Sequence, residues 1–195
     1  DIPIRKLRDE LDRTVAELQR IVVHSPRSPA EQFELGRQRM MLGQYAEAAA
    51  AFAPLAERDP YSRLMLGEME HERGRFEAGD AAIRSGIADL KPRAASDPRA
   101  ASACRIAFDA LAKSARENGR SAEAETIYRE AIATLPASHA YFLMQLGRQY
   151  ESDGRPAAAL DAYRDALQRD PALADRIAPR AAALHATTPA CLLGR

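Results

Sequence analysis

"LGRQRMMLGQYAEAAAAFAPLAERDP" at residues 35–60 and "LGRQYESDGRPAAALDAYRDALQRDP" at residues 146–171 share an order of residue types that decides the fold. In each, two glycines stand seven apart: Gly36 and Gly43 in the first, Gly147 and Gly154 in the second. The first of each pair falls in mid-helix, where a bare backbone lets a partner helix approach, and the second ends that helix as a left-handed cap. Twelve residues after the first glycine stand Ala48 and Ala159, small where a second helix would cross the first. Sixteen after it stand Phe52 and Tyr163, large groups read as filling the space between one helix pair and the next. Twenty-four after it stand Pro60 and Pro171, which stop the second helix and let the chain turn.

Two further stretches follow the same order. Gly67, Gly74, Gly79 and Ile83 form one, with Lys91 at the proline position and Pro92 one step late; Ala112, Gly119, Ala124, Tyr128 and Pro136 form the other. The pattern resembles the tetratricopeptide repeat, whose period is about 34 residues. Two spacings depart from that period: Gly36 to Gly67 is 31 residues, which calls for a tightened turn, and Gly74 to Gly119 is 45. The surplus falls in "LKPRAASDPRAASACRIAFD", where Asp97 suits an N-cap and Pro98 a first helical residue, so the third unit's first helix is predicted to be about two turns too long. Such a helix would protrude or bend the superhelix.

The resemblance implies an all-α, right-handed superhelical solenoid of antiparallel helix pairs. Residues 1–28 read as an N-terminal amphipathic helix and 29–173 as four repeats, at about 29–60, 61–92, 98–137 and 138–171. Residues 172–195 read as a C-terminal capping helix and flexible tail. Helices are predicted at 4–23, 29–42, 45–58, 61–73, 76–90, 98–118, 121–134, 138–153, 156–169 and 172–186, with Pro179 dividing the last and "TTPACLLGR" frayed. In the first helix, Ile4, Leu7, Leu11, Val15, Leu18 and Val22 give an unbroken 3.6-period stripe, whereas the heptad seam through Thr14 has a polar member. The stripe favours packing on the chain's own repeats, and pairing with another chain is the alternative. At the other end Leu173, Ile177, Ala181 and Leu184 form a stripe suited to covering the fourth unit.

Composition agrees with close helix packing through small side chains: aromatics are 6% and Trp is absent. The 28 basic and 28 acidic residues balance, so no net field draws in nucleic acid, and no apolar run approaches the roughly 18 residues of a membrane span. The chain begins at Asp1 without Met, so an export signal or anchor could precede it and the compartment stays open. Cys104 and Cys191 are too few for a disulfide framework and read as two thiols, with a bond through a folded-back tail as the alternative.

Chemistry-bearing motifs are scarce. There is no H-E-x-x-H, no paired C-x-x-C and no phosphate-cradling glycine loop, so the chain is read as non-catalytic and without a cofactor. Glu68, His71 and Glu72 would share a helix face and form the nearest thing to a metal cluster, but a charged helix face gives the same pattern. The resemblance implies instead that the first helix of each pair lines a concave groove. On the free faces of those helices stand Phe33, Arg37, Met40, Tyr61, Met65, Glu68, His71, Asp109, Lys113, Arg116, Tyr141, Met144, Gln145 and Arg148. Aromatic and Met groups offer apolar anchors to a peptide, and Arg offers forked hydrogen bonds. The carboxylate clamp known in the family is not reproduced, since Phe33, Arg37 and Met65 stand where it would want Lys, Asn and Asn. The function expected is a scaffold or adaptor holding a peptide or partner helix in a bacterial envelope, secretion or polysaccharide-export assembly. The alternatives are a homo-oligomerisation module built on the N-terminal or long third-unit helix, and, more remotely, a metal-dependent enzyme.

Overall fold

A computed structural model describes residues 4–24 and 28–187 and divides the chain into two compact units, residues 1–92 and 93–195. The described residues contain helices and no strand. Cys191 and nearly all of the expected tail lie outside them.

The first unit runs α1 (Ile4–His24), α2 (Pro29–Met41), α3 (Tyr45–Ala56), α4 (Pro60–Glu72) and α5 (Phe76–Leu90), each packed on the next from α1 to α5. The α2–α3 turn shows how each pair reverses. Gly43 lies at φ 73°, the Gly43 N–H bonds the carbonyl of Met40 at 3.0 Å, and the Gln44 N–H bonds that of Arg39 at 2.9 Å. These are the two hydrogen bonds of a Schellman cap, whose left-handed residue favours glycine because it has no Cβ. Gly74, Gly119 and Gly154 repeat it.

Close approach governs the α4–α5 pair. A Cβ on Gly67 would stand 2.5 Å from Cγ1 of Ile83 and 2.8 Å from the carbonyl oxygen of Gly79. Leu64 meets Gly86 and His71 meets Gly79, so partners fall along α5 as they rise along α4, which makes the pair antiparallel. Phe52 sits across Gly36 of its own pair and joins Ala48, Ala49 and Met69 in the core. The ring thus fills its own pair's crossing as well as the gap to α4, rather than the gap alone.

The short spacing between the first two units is met at Pro60. This proline opens α4 directly, with Asp59 as N-cap accepting from the Ser62 N–H at 2.8 Å. In the second unit Pro136 and Pro171 instead open single 3-10 turns, Pro136–Ser138 and Pro171–Leu173, before the next helix. On α1, Val15 is buried, Leu11 and Leu18 are half-buried, and Thr14 is exposed with its hydroxyl bonded back to the Glu10 carbonyl. The 3.6-period face is therefore the packed one.

The second unit runs α6 (Pro98–Glu117), α7 (Ser121–Thr134), α8 (His139–Ser152), α9 (Pro156–Arg169) and α10 (Ala174–Thr187). The α6 helix has 20 residues against 13, 13 and 14 in α2, α4 and α8, which is the predicted surplus of about two turns. Those turns bury Ala100 and Cys104 fully, so the extension is packed along one face. Pro179 does not divide the last helix, contrary to expectation: α10 is continuous through it. Pro179 and Asp175, whose carbonyl loses its helical donor, are both exposed, so water can serve that carbonyl while buried Ile177 holds the helix in place.

Candidate peptide-binding faces

In the first unit, the expected groove side chains divide into those engaged by the core and those left outward. Phe33, Met40 and Met65 are half-buried against the Ala48, Ala49, Phe52 and Met69 cluster, with Phe33 edge-on to Phe52 at 5.4 Å. Tyr61 and Glu68 are half-buried. His71 does not line a face with Glu68 and Glu72: its Nε2 lies 2.8 Å from Oδ1 of Asp80 and its ring 6.1 Å from Phe76, both on α5. The imidazole serves the contact within the pair, and no group of three or more ligating side chains among the described residues is placed to hold a metal.

Arg37 points outward, but its guanidinium is already held by Glu34 through two bonds of 2.9 Å. The hydrogen bond from Arg37 keeps the Glu34 carboxyl below the usual range, and Glu34 in turn raises Arg37. Four residues after Arg37, Met41 is 57% exposed on the same face, a position that sequence reasoning passed over.

The second unit carries the more organised face. Ile106, Asp109, Lys113 and Arg116 follow at three- and four-residue steps on α6, and Tyr141, Gln145 and Arg148 do so on α8. Tyr141 donates its hydroxyl to Oδ2 of Asp109. Gln145 Nε2 bonds the Tyr141 oxygen at 3.1 Å and Oδ1 of Asp109 at 3.5 Å, and its amide oxygen accepts from Arg148 at 3.2 Å. Arg105 lies over the Tyr141 ring at 5.1 Å. Burial pushes the Asp109 carboxyl above its ordinary range, with Tyr141, Gln145, Arg105 and Arg116 pulling it back only in part. Burial likewise pushes the phenol of Tyr128, fully buried on α7 and within the fields of Arg116, Asp109, Tyr141 and Arg148, up to about 12. Asp109, held by Tyr141 and Gln145, forms a fixed polar floor.

Met144 departs from expectation: it is 2% exposed and supports this face from inside instead of lining it. At position 144 the stripe edge turns toward the packed side of the helix, so an apolar side chain there is drawn into the interior. Sequence reasoning also passed over Ile106, 46% exposed, and Arg105. Ile106 was legible from its place three residues before Asp109; the stacking of Arg105 on a ring of another helix had no local signal.

A repeating pair of helices, with its glycine caps and small crossing residues, is thus joined to side-chain faces on the first helix of each pair. The Tetratricopeptide repeat family profile matches residues 33–95 and 110–174, and the chain belongs to that family. Its fold is one typical of non-catalytic protein–protein interaction scaffolds. Among solved structures, MamA is similar at TM-score 0.67 and 18% identity, with 90% of this chain and 98% of that one covered. BtubC (BKLC) from P. vanneervenii is similar at 0.60 and 20%, covering 89% and 76%; TTC0263, a thermophilic TPR protein in Thermus thermophilus, is similar at 0.51 and 23%, covering 89% and 90%. At these identities the likeness concerns the fold. No curated protein matches the sequence. No helix among the described residues is long and apolar enough to cross a membrane.

Proposed function

We propose that the outward faces of the first helices hold an extended peptide or partner helix, and that the protein is an adaptor in a bacterial multi-protein assembly of the envelope, secretion or polysaccharide-export kind. The observation that carries this reading is the α6/α8 face. There Tyr141, Gln145 and Asp109 are locked to one another across two helices, so side chains able to meet a ligand already have their rotamers fixed. The Ala- and Arg-rich composition and the similar fold from Thermus thermophilus support the bacterial setting.

The test is photo-crosslinking in cells from a probe at Arg148, compared with a probe at exposed Arg164 on α9. A defined adduct from position 148 that is absent from 164, together with an adduct from a probe at Lys113 that is lost on Arg148→Glu, supports docking on these faces. Equal adducts from both positions count against it. An adduct to a second copy of this chain supports the homo-oligomer instead, for which exposed Leu7 on α1 and Ile106 on α6 are apolar groups on the two helices concerned.

A further inference from the structure

We infer that the α6/α8 face of the second unit takes an acidic segment of another protein: an extended stretch with an aliphatic side chain for Ile106 and carboxylates for Arg116 and Arg148. The inference rests on the docking reading above and adds the chemistry of what docks.

Two arginines at the same repeat position show why. Arg37 and Arg148 each follow the mid-helix glycine of their repeat, Gly36 and Gly147. Three residues earlier stands Glu34 in the first case and Gln145 in the second, so Arg37 is neutralised by a two-bond ion pair while Arg148 donates to an uncharged amide oxygen. Arg148 therefore keeps its full charge and most of its donors for a ligand. Arg116, also exposed, forms no ion pair with any described residue, and Lys113 meets Glu117 only at 3.8 Å. Asp109 does not cancel this charge outward, because its two oxygens are turned to Tyr141 and Gln145 and it is half-buried. The face thus presents Arg105, Lys113, Arg116 and Arg148 with one carboxylate, Asp109, committed inward and one, Glu117, at its end.

Ile106 sets the apolar end. Ten residues separate it from Arg116, about 15 Å along the helix, which an extended chain spans in about five residues. A phosphate backbone suits the site less well, since it offers exposed Ile106 no aliphatic partner and the chain has no net positive charge to add.

Fluorescence anisotropy on the full chain tests this with labelled Leu-Ser-Ser-Ser-Asp-Asp, its Asn-Asn and Lys-Lys counterparts, and a six-nucleotide oligothymidylate. The Asp-Asp peptide is expected to bind at least tenfold more tightly than the Asn-Asn peptide and to weaken with salt. Arg116→Gln plus Arg148→Gln should cost at least tenfold and Ile106→Ser severalfold, whereas Arg37→Gln should change binding less than twofold; circular dichroism confirms that each variant is folded. Equal binding of the Asp-Asp and Asn-Asn peptides, no binding of the Asp-Asp peptide, indifference to the double Arg variant, or tighter binding of the oligonucleotide overturns the inference. A Lys-Lys or Asn-Asn peptide that binds best and is lost with Ile106→Ser plus Tyr141→Ala overturns the acidic assignment while leaving the docking face intact. If none of the three peptides binds and position 148 also yields no adduct, both readings fall.

Discussion

Substituting Gly67 by alanine sets two effects of known sign against each other. Alanine is the better helix former by about 1 kcal/mol, so on propensity alone the variant gains stability. The new methyl, however, arrives 2.5 Å from Ile83 Cγ1, 2.8 Å from the Gly79 carbonyl oxygen and 3.1 Å from the Ile83 nitrogen. Two of these three atoms are backbone, so rotating one side chain does not relieve the contact and α4 must move away from α5. Overpacking of this kind costs typically 1–3 kcal/mol, and the backbone obstruction places Gly67 at the upper end. The net expectation is a loss of about 2 kcal/mol, equivalent to a fall of roughly 4–8 °C in Tm for a chain of this size. Gly36→Ala is the comparison, because the three atoms nearest its methyl all belong to the Phe52 side chain and none to backbone; it should lose less. Urea titrations followed at 222 nm by circular dichroism read both variants, with the slope checked for loss of cooperativity. A Gly67→Ala protein as stable as wild type or more so would show that the helices are not held at this separation and would refute the reasoning.

Four other outcomes follow from local contacts. Arg63 closes the end of α3 through the carbonyls of Ala56 (2.8 Å) and Glu57 (3.2 Å) while reaching Ser85 (3.1 Å) and Asp89 of α5, so Arg63→Ala should lose about 2 kcal/mol by urea titration. Asp59→Ala removes the cap of α4 and should cost about 1 kcal/mol, with Asp59→Asn costing little. Pro179→Ala restores a donor inside a continuous helix and should raise stability by at least about 1 kcal/mol. Burial pushes Glu125 upward, but the bonds from Arg155, Tyr150 and Arg129 outweigh it and leave its carboxyl below the ordinary value. A lowered carboxyl stabilises above its unfolded value of about 4.3 and loses that contribution as pH falls through the folded one. Glu125→Gln should therefore be less stable than wild type at pH 7, with the gap closing below about pH 4; a constant gap across urea titrations from pH 7 to 3 would contradict this.

The helices were legible in the sequence because their signals are local and repeated. A glycine cap, a small crossing residue and a proline at fixed offsets each act within a few residues, and every helix appeared within two residues of its predicted bounds. Less legible was anything that depends on what lies across a contact. His71 reads as a partner of Glu68 and Glu72 on its own helix, yet Asp80 reaches it from α5 at 2.8 Å. Met144 reads as part of an outward stripe, but a side chain at a stripe's edge goes to whichever side has apolar company, and here that is the interior. Pro179 reads as a break because sequence registers the missing donor and not the exposure of the carbonyl it leaves.

Local charge is hidden from the sequence for a related reason. Twenty-eight bases against 28 acids correctly removes a long-range field, but a sum over the chain is blind to where each sign is pinned. Glu34 neutralises Arg37 because it lies one turn away on the same face; Gln145, in the corresponding place, cannot do the same for Arg148. At physiological salt a charge is felt within about 8 Å, so acids elsewhere on the chain do little to offset the cations of the α6/α8 face. A neutral repeat protein can thus keep a locally basic face through one Glu-to-Gln difference between repeats, which is why Gln145→Glu, by pairing Arg148 internally and setting a second carboxylate against Asp109 in place of a donor, should weaken any acidic ligand of that face.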